Sequence, residues 1–225
     1  MTFSDKLKNN NLDLWNKTHV NHLFISGIRE GTLEFDKFKH YMIQDYKFLI
    51  EYSRVISIAI SKSFDEEIMS FWSKLLDETL NSEMDLHKSF CSDFGISNEE
   101  IINTESSLAT RSYTNYLLST AYKYEIEYIS CSLLPCQWGY DEIGQTLSKK
   151  NSTLKNSFHR RWIDAYNDPE YQQITKWLIN YVDSVEKKID NEVANDIFKQ
   201  SLEYELLFWE SSWNLELIGR NNGNK

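Results

Sequence analysis

Apolar positions recur at three- and four-residue intervals along most of this chain, the period of amphipathic helices. Phe3, Leu7, Leu14 and Trp15 mark a first helical segment over residues 3–18. A linking stretch, Asn21-His22-Leu23-Phe24, and a turn at Glu30-Gly31-Thr32 follow. Phe35, Phe38, Met42, Ile43, Phe48 and Tyr52 then fall near one broad face, which predicts a single long helix over residues 33–63. Asp65-Glu66-Glu67 opens the next helix, its acids suited to the positive helix end, and that helix runs to residue 90. A turn at residues 93–97 leads into Ser97-Asn98-Glu99-Glu100, the pattern of a capping box. Further helices are predicted over residues 108–123, 125–149 and 152–165. Asn167-Asp168-Pro169-Glu170 is a stop and restart, with Pro169 in a first turn. Helices over 169–189 and 191–219 complete the chain, and residues 220–225 read as a frayed tail. No repeat, low-complexity tract or linker interrupts the series, so the pattern predicts one all-α domain over residues 1–225, a multi-helix bundle.

Composition sharpens this picture. Seven glycines and two prolines in 225 residues leave few helix breakers. The 7 Trp, 13 Tyr and 12 Phe must be largely buried, and their polar atoms then need partners. Such an interior packs as a core and is also able to hold a flat heterocycle. The formal charge of −10 lacks the basic footprint of nucleic-acid binding. No apolar run approaches a membrane span, and no basic segment leads into an apolar stretch at the N-terminus. Cys91, Cys131 and Cys136 are an odd number in a chain too long to need staples, which predicts free thiols in a reducing cytoplasm.

Four segments concentrate candidate chemistry. Leu133-Leu134-Pro135-Cys136-Gln137-Trp138-Gly139-Tyr140 places two helix breakers around one thiol, and proline inside a helix predicts a local distortion there. Tyr140 follows Cys136 at i+4, on the same helical face. The plain alternative is an inert buried cysteine. Asp45, in Gln44-Asp45-Tyr46-Lys47-Phe48, lies one turn before Phe48, and Tyr52 one turn further on, so its carboxyl is expected among aromatics. Tyr166 closes Arg161-Trp162-Ile163-Asp164-Ala165-Tyr166 at a predicted helix end. Glu205, in Glu203-Tyr204-Glu205-Leu206-Leu207-Phe208-Trp209, shares a face with Phe208 and Trp209. Burial of an acid on such a face raises its pKa toward neutrality, where it transfers protons well. Glu83 and His87 have an i,i+4 spacing that suits a shared metal, but the five histidines are scattered and no second Glu/His pair of the di-iron kind follows. No phosphate-cradling glycine loop is present.

Taken in order, these segments resemble the TenA family, the thiaminase II enzymes. The resemblance is carried by Trp15, His22-Leu23-Phe24, Gly31-Thr32-Leu33, Gln44-Asp45-Tyr46, Tyr113-Thr114-Asn115-Tyr116, the Pro135-Cys136 motif, Trp162 to Tyr166, and Tyr204 to Trp209. It spans nearly the whole chain. It implies a haem-oxygenase-like all-α bundle that assembles as a homotetramer and needs no metal or organic cofactor. It implies a thiamin-salvage hydrolase acting on aminopyrimidine, or on thiamin itself, to release hydroxymethylpyrimidine. By that resemblance Cys136 is the nucleophile. Asp45 binds the amidine-like edge of the pyrimidine and helps protonate a ring nitrogen. Glu205 moves a proton at the departing group and then assists water. Tyr140 and Tyr166 bring hydroxyls to the thiol and substrate, while Tyr113, Phe48, Phe208 and Trp209 enclose the ring. Many relatives carry tyrosine where this chain has Phe48, so one hydroxyl is missing. Two rival readings remain at this point: a metal-dependent oxidase on the same fold, using Glu83 and His87, and a non-catalytic pyrimidine-binding regulator.

Overall fold

The computed structural model describes residues 1–150 and 158–216, and these residues are predominantly helical, without strands. Thr2 opens α1 (Phe3–Asn10) with a capping box closed by Asp5. The predicted segment over residues 3–18 breaks at Asn11, whose side chain donates to the Leu7 carbonyl at 2.8 Å. Asparagine competes for backbone groups in this way and so favours helix ends. A short α2 (Leu12–Trp15) then runs into a π-helical turn, Asn16–Val20. The stretch expected as a link instead starts α3 (Leu23–Glu30), because the His22 ring accepts from the Phe24 amide at 3.1 Å. Gly31, at φ 69°, ends α3 in the left-handed conformation.

The long predicted helix is α4 (Phe35–Lys62), which buries Phe38, Met42, Phe48 and Tyr52. Asp65 caps α5 (Glu66–Asp77) as its position predicted. The helix expected to run on to residue 90 widens into a π turn, Glu78–Glu83, and resumes as α6 (Met84–Asp93). The Ser97 hydroxyl accepts from the Glu100 amide and starts α7 (Asn98–Asn103). Next come α8 (Leu108–Lys123), α9 (Ile126–Lys150), α10 (Phe158–Tyr166), α11 (Pro169–Val185) and α12 (Asn191–Asn214). Pro169 occupies the first turn of α11 behind an Asp168 cap. The start of the helix predicted over 152–165 and the tail at 220–225 lie outside the described residues.

Helix α9 is the axis of the fold. It packs on α12, α11, α10 and α8, while α4 packs on α8, α5 and α6. The buried hydrophobic cluster runs from Phe3 on α1 to Trp209 on α12 and includes Trp15, Trp72, Trp162 and Phe198. A small satellite, Ile43, Cys91, Ile96 and Ile101, lies beneath α7. Among the described residues, no helix is long and apolar enough to cross a membrane.

Two glycines on α9 set close approaches. A Cβ at Gly139 would fall 2.3 Å from the His19 ring, and one at Gly144 would fall 2.3 Å from the Tyr166 carbonyl oxygen. The glycine three residues after Cys136 thus makes room for an imidazole, where the sequence suggested a distorted helix. Helix α9 stays helical across Pro135.

Candidate active site

Helix α4 presents Asp45, Phe48, Leu49 and Tyr52 at the i, i+3, i+4, i+7 spacing of one helical face. Helix α9 faces them with Cys136, Gln137 and Tyr140. Tyr166 arrives at the end of α10, Tyr171 on α11, and Glu83 at the end of the π turn. These ten side chains enclose one cavity. It measures about 20 Å³, space for roughly one water. Five of the side chains nominated from sequence, Asp45, Phe48, Cys136, Tyr140 and Tyr166, line it directly.

The other nominated residues form a second layer. Phe208 packs on Phe48 with ring centroids 5.9 Å apart, and Tyr113 packs on the same ring at 5.0 Å. Trp209 lies 5.3 Å from the Tyr140 ring and stacks on Tyr41 at 5.4 Å, so it buttresses the wall without lining the cavity. Glu205 is 2% exposed, with the Cys136 thiol and the Tyr113 hydroxyl as its polar neighbours. Its Oε2 has no hydrogen-bond partner.

Sequence reading passed over the hydrogen-bond partners of Asp45. The Tyr41 hydroxyl donates to Asp45 Oδ2 at 2.9 Å, and His87 Nε2 lies 2.7 Å from the same oxygen. Asp45 is 4% exposed and His87 1%. His87 Nδ1 lies 2.8 Å from the Glu83 carbonyl oxygen. The Glu83 carboxylate, in turn, accepts from the Tyr166 hydroxyl at 3.1 Å. Of the Glu/His pair singled out by its metal-compatible spacing, Glu83 therefore lines this cavity and His87 holds Asp45, which also lines it. Both nitrogens of His87 are already engaged. Among the described residues, no group of three or more His, Cys, Asp and Glu side chains is placed to hold a metal ion. The i,i+4 spacing of Glu83 and His87 was the available signal; their approach to α4 is tertiary.

Electrostatics follow from burial. Glu205 is pushed up to about 7, chiefly by burial, with the Tyr113 and Cys136 contacts pulling the other way. Glu83 is likewise pushed up to about 7 by burial, opposed first by His87. The Cys136 thiol stands well above its ordinary value because of burial and then the charges of Glu205, Asp45 and Glu83. The thiol is thus the resting form, and a positive charge beside it would favour the thiolate. Burial also raises Tyr140 and Tyr166 well above the ordinary phenol value, so both remain hydroxyl donors. Two carboxyls near neutrality, one thiol and several phenols around a small aromatic-lined cavity are suited to proton transfer and nucleophilic addition at a small flat ring.

The TENA/THI-4/PQQC family pattern matches residues 9–215. An aminopyrimidine aminohydrolase of Helicobacter pylori is 36% identical over 216 residues, 95% of this chain and 99% of its own length. One from Halalkalibacterium halodurans is 35% identical over 217 residues, covering 95% and 96%. The solved TenA homologue from P. horikoshii OT3 superposes with a TM-score of 0.89 at 28% identity, covering 95% of this chain and 99% of that one. A heme oxygenase-like domain from Shewanella denitrificans, 15% identical, shares the fold with a TM-score of 0.76 over 94% and 92% of the two chains. Alike from end to end in sequence and in helix arrangement, this chain has the haem-oxygenase-like all-α fold and belongs to the TENA/THI-4/PQQC family.

Proposed function

We propose that this protein is a thiamin-salvage hydrolase that converts aminopyrimidine, 4-amino-5-aminomethyl-2-methylpyrimidine, to hydroxymethylpyrimidine by cysteine nucleophilic catalysis. The observation that carries this reading is the convergence of Cys136, Asp45, Tyr140 and Tyr166 on one cavity, with Glu205 against the thiol. Relatives matched over nearly their full length are aminopyrimidine aminohydrolases, in keeping with a hydrolase.

Asp45 binds the amidine-like edge of the ring and steers a proton to a ring nitrogen. That positive charge makes the ring electrophilic and draws the Cys136 thiol toward thiolate. Glu205 takes the thiol proton as sulfur adds to a ring carbon, and passes it to the departing ammonia as the exocyclic carbon–nitrogen bond breaks. Water, assisted by Glu205, adds to the exocyclic carbon, and loss of the thiol restores the aromatic ring. Covalent addition divides one hard displacement into two easier steps. Phe48, Tyr113 and Phe208 supply the apolar surround. Thiamin offers the same pyrimidine with a thiazolium leaving group and is the second substrate on this reading. The protein works in the cytoplasm, where its three free cysteines stay reduced, and assembles as a homotetramer, as the family resemblance implies.

The test is a side-by-side assay of aminopyrimidine and thiamin with the unaltered protein and Cys136→Ala. Loss of a covalent nucleophile is expected to lower kcat by on the order of 10³ or more. Turnover by the variant at a near-normal rate would overturn the cysteine mechanism.

A further inference from the structure

The catalytic cavity has a neighbour. An outer pocket of about 330 Å³ lies between α5, the π turn and the α10–α11 corner. It shares Glu83, Gln137, Tyr166 and Tyr171 with the inner cavity, so these four side chains are the partition between them. The Tyr166–Glu83 hydrogen bond, at 3.1 Å, ties two members of that partition together. The inner cavity is smaller than a pyrimidine, and the outer one is large enough to hold one. A ligand reaching Cys136 from the outer pocket passes this bond.

Charge gives the partition a preference. The outer pocket adds Glu78, Asp168 and Glu170 to Glu83, and neither space has a lysine, arginine or histidine among its lining residues. Glu78 accepts from the Ser82 hydroxyl and Asp168 caps α11, so both have local roles. Glu83 differs because it lines both spaces. Its side-chain hydrogen bond is with a neutral phenol, a weaker partner than a cation would be.

We infer that Glu83 recognises the positive charge on the substrate's exocyclic nitrogen, accepting from an alkylammonium in place of the Tyr166 hydroxyl. The inference rests on the pyrimidine reading above and adds a determinant of specificity to it: cationic, unphosphorylated pyrimidines are selected over neutral or anionic ones. The groups facing Glu83 are His87, Asp45 and Tyr166, with Tyr52, Cys136 and Tyr171 further round the cavity. Burial holds the Glu83 carboxyl at about 7. An arriving cation favours its ionised form, and acid opposes binding by protonating it.

The test measures binding of two ligands, cationic aminomethylpyrimidine and neutral hydroxymethylpyrimidine. Turnover is blocked with Cys136→Ala, and the same background carries Glu83→Gln or Glu83→Asp. Glu83→Gln is expected to weaken the cationic ligand about tenfold or more, the worth of one charge-assisted hydrogen bond, and to leave the neutral ligand within about twofold. Glu83→Asp recovers part of the loss. The preference of the Cys136→Ala protein for the cation is expected to rise as pH increases through about 7. Equal weakening of both ligands, or of neither, overturns the role of Glu83 while the pyrimidine reading stands. Failure of the Cys136→Ala protein to bind either ligand overturns both.

Discussion

Asp45 Oδ2 and His87 Nε2 lie 2.7 Å apart, both buried. The Glu83 carbonyl can only accept, so His87 Nδ1 carries a hydrogen toward it at 2.8 Å. The 2.7 Å contact between Nε2 and Asp45 Oδ2 then requires a second hydrogen, and the raised value of His87 places it on the ring. With the Tyr41 hydroxyl on the same Oδ2, the carboxyl is fixed and Oδ1 takes neither contact. Removing one partner of such a buried pair is costly. His87→Ala is expected to destabilise the protein by about 3–5 kcal/mol, measured by urea unfolding.

The same pair gives a pH signature. Burial works to lower the His87 value, but the Asp45 hydrogen bond and charge outweigh it, and His87 ends above its ordinary range. A group raised in this way stabilises the fold fully below its unfolded value and loses that contribution as pH rises through its folded value. The stability gap between the unaltered protein and His87→Gln is therefore expected to narrow as pH rises above the ordinary value of 6.5. Paired Tm measurements at rising pH check it; a constant gap would argue against a charged His87.

Glu205 carries the opposite sign. Its folded value of about 7 against an ordinary 4.5 means that the fold prefers the neutral acid. Stability falls as pH rises from the unfolded value through the folded one and then levels off. That shift corresponds to about 3 kcal/mol above neutrality. Glu205→Gln is expected to be the more stable protein at about pH 8, with the advantage gone near about pH 4.5. It is also expected to lose on the order of 10²–10⁴ in turnover. Gain of stability with loss of activity identifies the carboxyl as functional.

The Cys136 thiol should be sluggish without substrate. Burial and the surrounding carboxyls hold it well above the ordinary range, and alkylation requires the thiolate. Iodoacetamide labelling of Cys136, followed by peptide mass spectrometry, is expected to keep accelerating beyond about pH 9 without a plateau. A plateau near neutrality would mean that the resting protein activates its own nucleophile.

Gly144→Ala tests how the wall is built. The added Cβ would meet Tyr166 backbone atoms at 2.3–2.4 Å, contacts that no rotamer change relieves. Displacement of α10 by even a fraction of an ångström moves the Tyr166 hydroxyl. We expect a loss of about 1–3 kcal/mol in stability together with a fall in kcat/KM. Gly139→Ala presses instead on the His19 ring, and its effect is expected mainly in stability.

Much of this was legible in the chain because helices announce themselves by period. Helices α4, α8, α9, α11 and α12 follow the spacing of their apolar residues closely, Asp65 and Ser97 open their helices where the sequence implied, and Pro169 stands in the first turn of α11. Asp45 and Cys136 were visible as polar groups on aromatic faces. The rest depends on distances between helices. Gly139 and Pro135 read as paired breakers, yet Gly139 is small because His19 lies on it. Glu83 and His87 stood out only for a spacing that a metal could share, and only the packing of α6 on α4 directs them to Asp45 and Tyr166. Asn11 and His22 show the finer failure: each overrode the apolar period locally by competing for backbone groups.

The π turn at Glu78–Glu83 carries a consequence for the history of this site. A π turn accommodates one residue more than the α-helical path it replaces, and every side chain after it is rotated by that extra step. Glu83 and His87 both lie at or beyond the turn. Deleting one residue within it would return the segment to ordinary helix and swing both groups by roughly 100°, away from Asp45. Their alignment with α4 is a matter of reading frame along the helix as well as of residue identity. A chain that kept all four residues, Asp45, Glu83, His87 and Cys136, but lost that single step would keep the parts of the site and lose its assembly.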